Sequence, residues 1–119
     1  DVDTNINLNI NAAGTGAVKV SKLAHSKSTI SAAGTVSANA TYISFTGSTT
    51  ATITVGNGTV DGQTKIVTHD GGAIICTVTF SSLAQGNSIS LDANDTVSLI
   101  WNNALTEWNI IGGYGYTVS

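Results

Sequence analysis

Hydrophobic and polar residues alternate at the start of the chain. Within residues 2–10 the hydrophobic positions are Val2, Ile6, Leu8 and Ile10, and the residues between them are Asp, Asn and Thr. A period of two predicts a half-buried strand. Two glycines at positions 14 and 16 then predict a tight turn. The alternation resumes at Val18 and Val20.

The same alternation recurs in short pieces from Ile30 onward, separated by turns rich in Gly, Asn and Asp. The predicted strands cover residues 40–46, 50–55, 65–69, 74–80, 97–101 and 108–111, and a further strand begins with Ile89. About eight strands at this spacing predict an all-β fold, an antiparallel β-sandwich with a jelly-roll-like arrangement. We interpret residues 1–29 as a strand- or shaft-like segment ending in a linker over residues 21–29. Residues 30–119 are then the head domain.

The composition agrees with a sheet and suggests self-association. Charged residues make up 9%, and the aliphatic residues are mostly β-branched, which fits a pleated surface. The chain has no proline and only four basic residues, so its sheet edges lack the usual protection. We therefore expect a homo-oligomer that buries those edges. Two similar segments, AAGTGAV at 12–18 and AAGTVSA at 32–38, are too short to predict a solenoid.

Charge and length exclude several classes of partner. The net charge is −3 and the basic residues do not cluster, which excludes a nucleic-acid-binding surface. No apolar run approaches the roughly 20 residues of a membrane span. Because the sequence begins at Asp1 and contains no methionine, we expect it to be a segment of a longer protein.

Candidate catalytic and metal-binding groups are few. His69 and Asp70 are adjacent, but neighbours on a strand point to opposite faces, which works against a hydrogen-bonded dyad. Cys76, the only cysteine, alternates in phase with hydrophobic residues and is expected to be buried. The aspartates of DAND, residues 92–95, are interpreted as turn residues rather than calcium ligands. We predict no enzymatic activity, no cofactor and no metal.

The aromatic residues near the C-terminus are the candidate ligand-binding groups. Trp101 is in phase with Val97 and Leu99, which favours the core. Trp108 is expected to lie opposite Trp101 across the NNALTE turn, and both a core position and a ligand-facing position remain open for it. Tyr114 and Tyr116 lie in a glycine-rich tail and are predicted to face a ligand. The predicted ligand-binding set is Trp108, Tyr114 and Tyr116.

Two stretches carry a resemblance to a known class of protein. Residues 6–20 read INLNINAAGTGAVKV, and residues 61–115 contain Asp61-Gly62-Gln63, Lys65, SLAQGNSISLDANDTVSLIW and WNIIGG. The first stretch resembles the strand–GTG–V-x-V segments of viral fibre shafts. The second resembles a distal module at the C-termini of phage tail-fibre and virion-surface proteins. Residues 30–60 lie outside the resemblance.

The resemblance implies a homotrimer at the virion surface that recognises a host receptor, commonly a glycan. Its partners would be other copies of the chain, a host cell-surface glycan or receptor, and other virion proteins. The leading hypothesis is a non-enzymatic viral fibre head that mediates host attachment. The alternatives are a structural capsid-decoration or fibre-assembly domain, and a bacterial adhesin or lectin domain. A glycan-degrading tailspike ranks last, because Glu107 is the only glutamate.

Overall fold

The computed structural model describes residue 10 and residues 14–119, and this part of the chain contains ten β-strands and no helix. The strands are β1 (Lys27–Ile30), β2 (Gly34–Thr35), β3 (Tyr42–Phe45), β4 (Ala51–Val55), β5 (Thr64–His69), β6 (Cys76–Leu83), β7 (Gly86–Leu91), β8 (Thr96–Asn102), β9 (Glu107–Tyr114) and β10 (Thr117–Val118).

The first six strands form a stack of parallel coils. β1, β3 and β5 pair in parallel, with Lys27 beside Tyr42 and Tyr42 beside Ile66. β2, β4 and β6 form a second parallel ladder, with Gly34 beside Ile53 and Ile53 beside Val78. Each coil therefore consists of two strands consecutive in the chain, and each coil lies on the next.

Antiparallel hairpins complete the sheet after the third coil. β8 pairs with β5 on one side and with β9 on the other, while β7 pairs with β6 and β10. β9 also meets β6 where Leu83 pairs with Trp108. The strand order β1-β3-β5-β8-β9-β6-β4-β2 gives a mixed, nearly closed, barrel-like sheet.

The core fills the interior of this sheet with alternate residues of the strands. Its fully buried side chains include Phe45, Ile53, Val67, Val78, Ile89, Leu91, Leu99 and Trp108. The predicted phase is confirmed in β3, where Ile43 and Phe45 are buried, and in β8, where Val97, Leu99 and Trp101 are buried. Each Å² of apolar surface that is buried stabilises the folded state by about 25 cal/mol, so this interior is the main source of stability.

One buried charge ties a loop to this core. Lys65 points inward from β5, and its ammonium group donates to the carbonyl oxygens of Ser37, Ala38 and Ala40, the first two at 2.9 and 3.1 Å. Burial lowers the pKa of Lys65. The three acceptors match the three donors of the ammonium group, which holds the β2–β3 loop against β5.

The fold confirms the predicted strand class and corrects the predicted strand pairing. The all-β class is confirmed. The purely antiparallel arrangement is wrong for the first six strands, which pair in parallel. β1 begins inside the segment predicted to be a linker, and Val18 and Val20 lie in no strand. The strand predicted for residues 2–10 falls almost entirely outside the described residues.

Candidate functional site

The two tryptophans lie in the core. Trp101 is 3% exposed and Trp108 is 0% exposed. They face each other in register across the β8–β9 hairpin, with ring centroids 5.3 Å apart and planes inclined at 61°. The prediction that they pair across this turn is confirmed. Trp108 presents no surface to a ligand, so its predicted ligand-facing role does not agree with the structure.

The glycine-rich loop after β4 covers the tryptophan pair. The indole N–H of Trp108 donates to the Gly56 carbonyl at 3.0 Å, and that of Trp101 donates to Asn103 Oδ1 at 3.0 Å. Gly58 lies against Trp101, where a Cβ would be 2.7 Å from ring atom Cδ1. Both indoles are thus hydrogen-bonded and enclosed within the chain, which explains their positions by packing alone.

The two tyrosines of the tail differ in exposure. Tyr114 ends β9 and is 75% exposed, whereas Tyr116 is half-buried and packs against the core. Positive φ angles at Gly113 and Gly115, 148° and 77°, place Tyr114 between two backbone positions that favour glycine. Of the three predicted ligand-binding residues, only Tyr114 offers a broad aromatic face to solvent.

His69, Asp70 and Cys76 do not form a catalytic group. His69 is fully buried, with its ring 5.2 Å from that of Phe45, while Asp70 is exposed, so the two side chains diverge as predicted. Cys76 is buried, and burial raises the pKa of its thiol to about 11. The reactive thiolate is therefore scarce near neutral pH.

Five side chains form a polar cluster on the outer face of β1, β3 and β5. This Asp70 cluster consists of Lys27, Tyr42, Ser44, Thr68 and Asp70. The hydroxyls of Ser44 and Thr68 both donate to Asp70 Oδ2, the latter at 2.8 Å. The Thr68 hydroxyl also lies 3.3 Å from the Tyr42 hydroxyl, and Lys27 Nζ lies 5.2 Å from the centroid of the Tyr42 ring.

The register of the parallel ladder assembles this cluster. Lys27 pairs with Tyr42 between β1 and β3, and Ser44 pairs with Thr68 between β3 and β5. Parallel strands in register place such residues side by side on one face. Asp70 directly follows β5, where its amide donates to the Phe45 carbonyl at 2.7 Å. The carboxylate is therefore fixed by its backbone as well as by its two hydroxyl donors.

The electrostatics keep the Asp70 carboxylate charged. The hydrogen bond from Ser44 is the largest effect and lowers the pKa of Asp70; burial opposes it, and the Thr68 hydroxyl and the Lys27 charge lower the pKa further. Ser44 is 1% exposed and is committed to this bond. No hydrogen bond to the second oxygen, Oδ1, comes from the part of the chain that the structure describes. Asp70 is exposed, so that oxygen can accept from a ligand.

Tyr114 lies at the same end of the sheet as the Asp70 cluster. Thr68 pairs with Thr96 between β5 and β8, and Thr96 bridges to Gly115, the residue after Tyr114. The Asp70 cluster combines a fixed carboxylate, several hydroxyls, a lysine and a tyrosine ring, and the exposed Tyr114 lies two strands away across β8. Saccharides are bound by this combination, since hydroxyl groups need oriented acceptors and donors while the apolar faces of sugar rings stack on aromatic rings.

Across residue 10 and residues 14–119, no group of three or more His, Cys, Asp or Glu side chains is placed to hold a metal ion. The aspartates of DAND act in a turn, where Asp95 Oδ2 accepts from the Asp92 amide at 2.8 Å. No helix able to cross a membrane occurs in these same residues.

The comparisons with known proteins identify no family. No model of a known protein family matches this chain, and a search of curated proteins finds no significant relative.

Sequence reasoning missed most of the Asp70 cluster. The sequence draws attention to Asp70 only as the neighbour of His69, and it gives no reason to single out Tyr42 as a site residue. No local signal connects Lys27, Tyr42 and Thr68, because the parallel pairing that joins them depends on contacts between distant parts of the chain. The one local hint is a hydroxyl residue two positions before an aspartate, Thr68 before Asp70, because residues two apart on a strand share a face.

Proposed function

We propose that this chain is a non-enzymatic attachment domain of a virus fibre, exposed on the virion surface, that binds a host-surface glycan. The observation that carries the proposal is the Asp70 carboxylate of an exposed residue, in which two hydroxyls hold Oδ2 while Oδ1 accepts no hydrogen bond from the described residues. The resemblance of residues 6–20 and 61–115 to fibre proteins supports the same conclusion.

In this proposal each residue of the site has a defined role. Asp70 Oδ1 accepts from sugar hydroxyls, Lys27 donates to them, and Tyr114 stacks on a sugar ring. Ser44 and Thr68 orient the carboxylate before the ligand arrives, which reduces the entropy lost on binding. A homotrimer would present three such sites on one rigid body and gain avidity without new contacts. Low net charge makes binding depend on hydrogen bonds and stacking rather than on electrostatic steering.

The test is a glycan array followed by titration of the hits with matched variants. D70N should reduce affinity at least about tenfold, because loss of one charged hydrogen bond costs about 1.5–3 kcal/mol. D92N, an exposed turn aspartate, should bind as the parent does. Y114A should weaken binding, while Y114F retains the ring and should preserve it.

Two results would contradict the proposal. One is a glycan that binds equally well to the parent, D70N and Y114A. The other is an affinity that falls steeply with salt, since the site offers a single lysine and a single carboxylate in contact with the ligand.

A structural role in fibre assembly is the second candidate. It is favoured by apolar side chains that the described chain leaves in water, among them Val18, Val20 and Leu23, which are 47%, 62% and 76% exposed. Such residues are typical of surfaces that another chain covers. If the array gives no hit while the protein co-assembles with its fibre, this candidate replaces the first.

A further inference from the structure

The coil stack ends in a corner that nothing in the described chain covers. β1 pairs only with β3 and β2 pairs only with β4 among the described strands, so both have one unpaired edge. These two strands lie at the two ends of the sheet order and are joined by residues 31–33. We call this feature the β1–β2 corner. Its unpaired backbone groups are a template for one more coil.

A second copy of the corner sequence exists in the chain. Residues 30–35, ISAAGT, run from the end of β1 through the turn into β2, and residues 10–15 read INAAGT. The two differ at one position, where Ser31 corresponds to Asn11. In solenoids, a repeated sequence folds into a repeated coil because each coil buries its neighbour's face and pairs its edge. The first copy therefore has the sequence of the coil that the corner lacks.

The geometry of the corner suits a coil of this sequence. The parallel ladder of the stack places like positions of successive coils side by side, with Gly34 beside Ile53 and Thr35 beside Thr54. Ile30 turns inward and its Cδ1 lies near Gly34, 3.8 Å from where a Cβ would stand. A stacked INAAGT segment would set Ile10 over Ile30, Gly14 beside Gly34 and Thr15 beside Thr35.

The described residues of this segment, Ile10, Gly14 and Thr15, do not pair with the corner of their own chain. Gly14 and Thr15 are exposed and lie in no strand, and residues 14–26 lead to β1 without pairing along its edge. Ile10 is 61% exposed, whereas its counterpart Ile30 packs against the core. The sequence thus repeats the corner segment, and the described residues of the first copy lie outside the corner of their own chain.

We propose that residues 10–15 of a second copy of this chain stack on the β1–β2 corner and supply the missing coil. The contact is a parallel strand addition between copies, and it covers both the open edges and the exposed Ile10. Because each copy carries the segment and the corner, the contacts can close into a ring of identical subunits.

Disulfide trapping tests the register of this contact. One chain carries T15C and the other, made heavier by isotope labelling, carries T35C. The two are mixed in a glutathione redox buffer, and the disulfide-linked species are counted by mass spectrometry. Cys76 stays out of the exchange because it is buried and its pKa is raised to about 11. Random collision yields twice as much mixed dimer as either homodimer.

The proposal predicts that the mixed T15C–T35C dimer exceeds this ratio severalfold and still forms at micromolar protein, since a bound segment has an effective concentration of about millimolar. S21C replaces T15C as the control, because Ser21 is also exposed but lies outside the repeat. A random ratio for T15C overturns the proposal. So does an intrachain disulfide that forms, independently of concentration, in a single chain carrying both T15C and T35C.

Discussion

At the scale of single residues, Gly58 is where packing leaves no room for a side chain. A Cβ there would lie 2.7 Å from Trp101 Cδ1, whereas a Cβ at Gly56 meets nothing within 4 Å. We expect G58A to lower the free energy of unfolding by about 1–3 kcal/mol, as overpacking does, and G56A to leave it nearly unchanged. Urea unfolding followed by tryptophan fluorescence measures both. Equal stabilities for the two variants would show that the loop does not rest on Trp101.

Burial of the polar His69 side chain in the core costs folding free energy. Both of its ring nitrogens are buried without a hydrogen-bond partner among the residues that the structure describes. Replacing it by Leu, of similar volume, removes the unsatisfied polar atoms while keeping the contact with Phe45. H69L should raise the free energy of unfolding by about 1 kcal/mol. H25L, at an exposed position, is the control and should change little. A large loss of stability in H69L would mean that the imidazole makes an essential bond.

The Asp70 carboxylate should make the free energy of unfolding depend on pH in the acidic range. Its pKa is lowered in the folded protein from an ordinary value of 3.8, first by the Ser44 hydrogen bond. The carboxylate therefore contributes stability above about pH 4, and this contribution is lost as the pH falls through the lowered pKa. S44A removes the main cause, so the difference in unfolding free energy between parent and S44A should be present at pH 7 and should shrink toward pH 2. S48A, at an exposed serine, should follow the parent at both pH values. A difference that is constant with pH would assign the effect of S44A to packing alone.

At the scale of the elements, Lys65 connects β5 to the loop between β2 and β3. Its ammonium donates to three loop carbonyls, and it is 3% exposed. Methionine fills a similar volume but leaves those carbonyls without their donor, so K65M should destabilise the fold by about 1–3 kcal/mol. K22M changes an exposed lysine in the same way and should be neutral. If K65M were more stable, the cost of burying the charge would outweigh the three hydrogen bonds.

The strands also show which parts of the fold can be predicted from the sequence alone. Most strands were predictable because alternation is local: Ile43 and Phe45 in β3, and Val97, Leu99 and Trp101 in β8, reveal their buried face directly. Their pairing was not predictable, since parallel stacking of β1, β3 and β5 joins residues that share no local pattern. The same limit explains the site. The burial of Trp108 depends on Gly56 from a distant loop, and the Asp70 cluster depends on the register of three strands.

At the scale of the whole molecule, the fold is dominated by pairings between distant residues. Parallel coils join Tyr42 to Ile66 and Ala51 to Cys76, and the tail returns to pair Val118 with Ile89. Ordering a chain for such contacts costs loop entropy before the contacts form, so folds of this kind refold in milliseconds to seconds. The parallel ladders join the three coils, which would hold the proposed binding surface in place before a ligand arrives.

Because the chain has no proline, the expected refolding in milliseconds to seconds can be tested directly. Slow refolding phases of about 10–100 s usually come from cis–trans isomerisation of X–Pro bonds, and this chain has none. In a double-jump stopped-flow experiment, refolding should therefore have the same rates and amplitudes after a brief and after a long time in the unfolded state. The experiment is done at low protein concentration, where assembly between copies is slow. Addition of a prolyl isomerase is the control and should leave the refolding rates unchanged. A phase of about 10–100 s that grows with unfolding time would show a slow isomerisation that the sequence does not provide. A phase that instead quickens with protein concentration would come from association of copies, because a step within one chain keeps its rate on dilution.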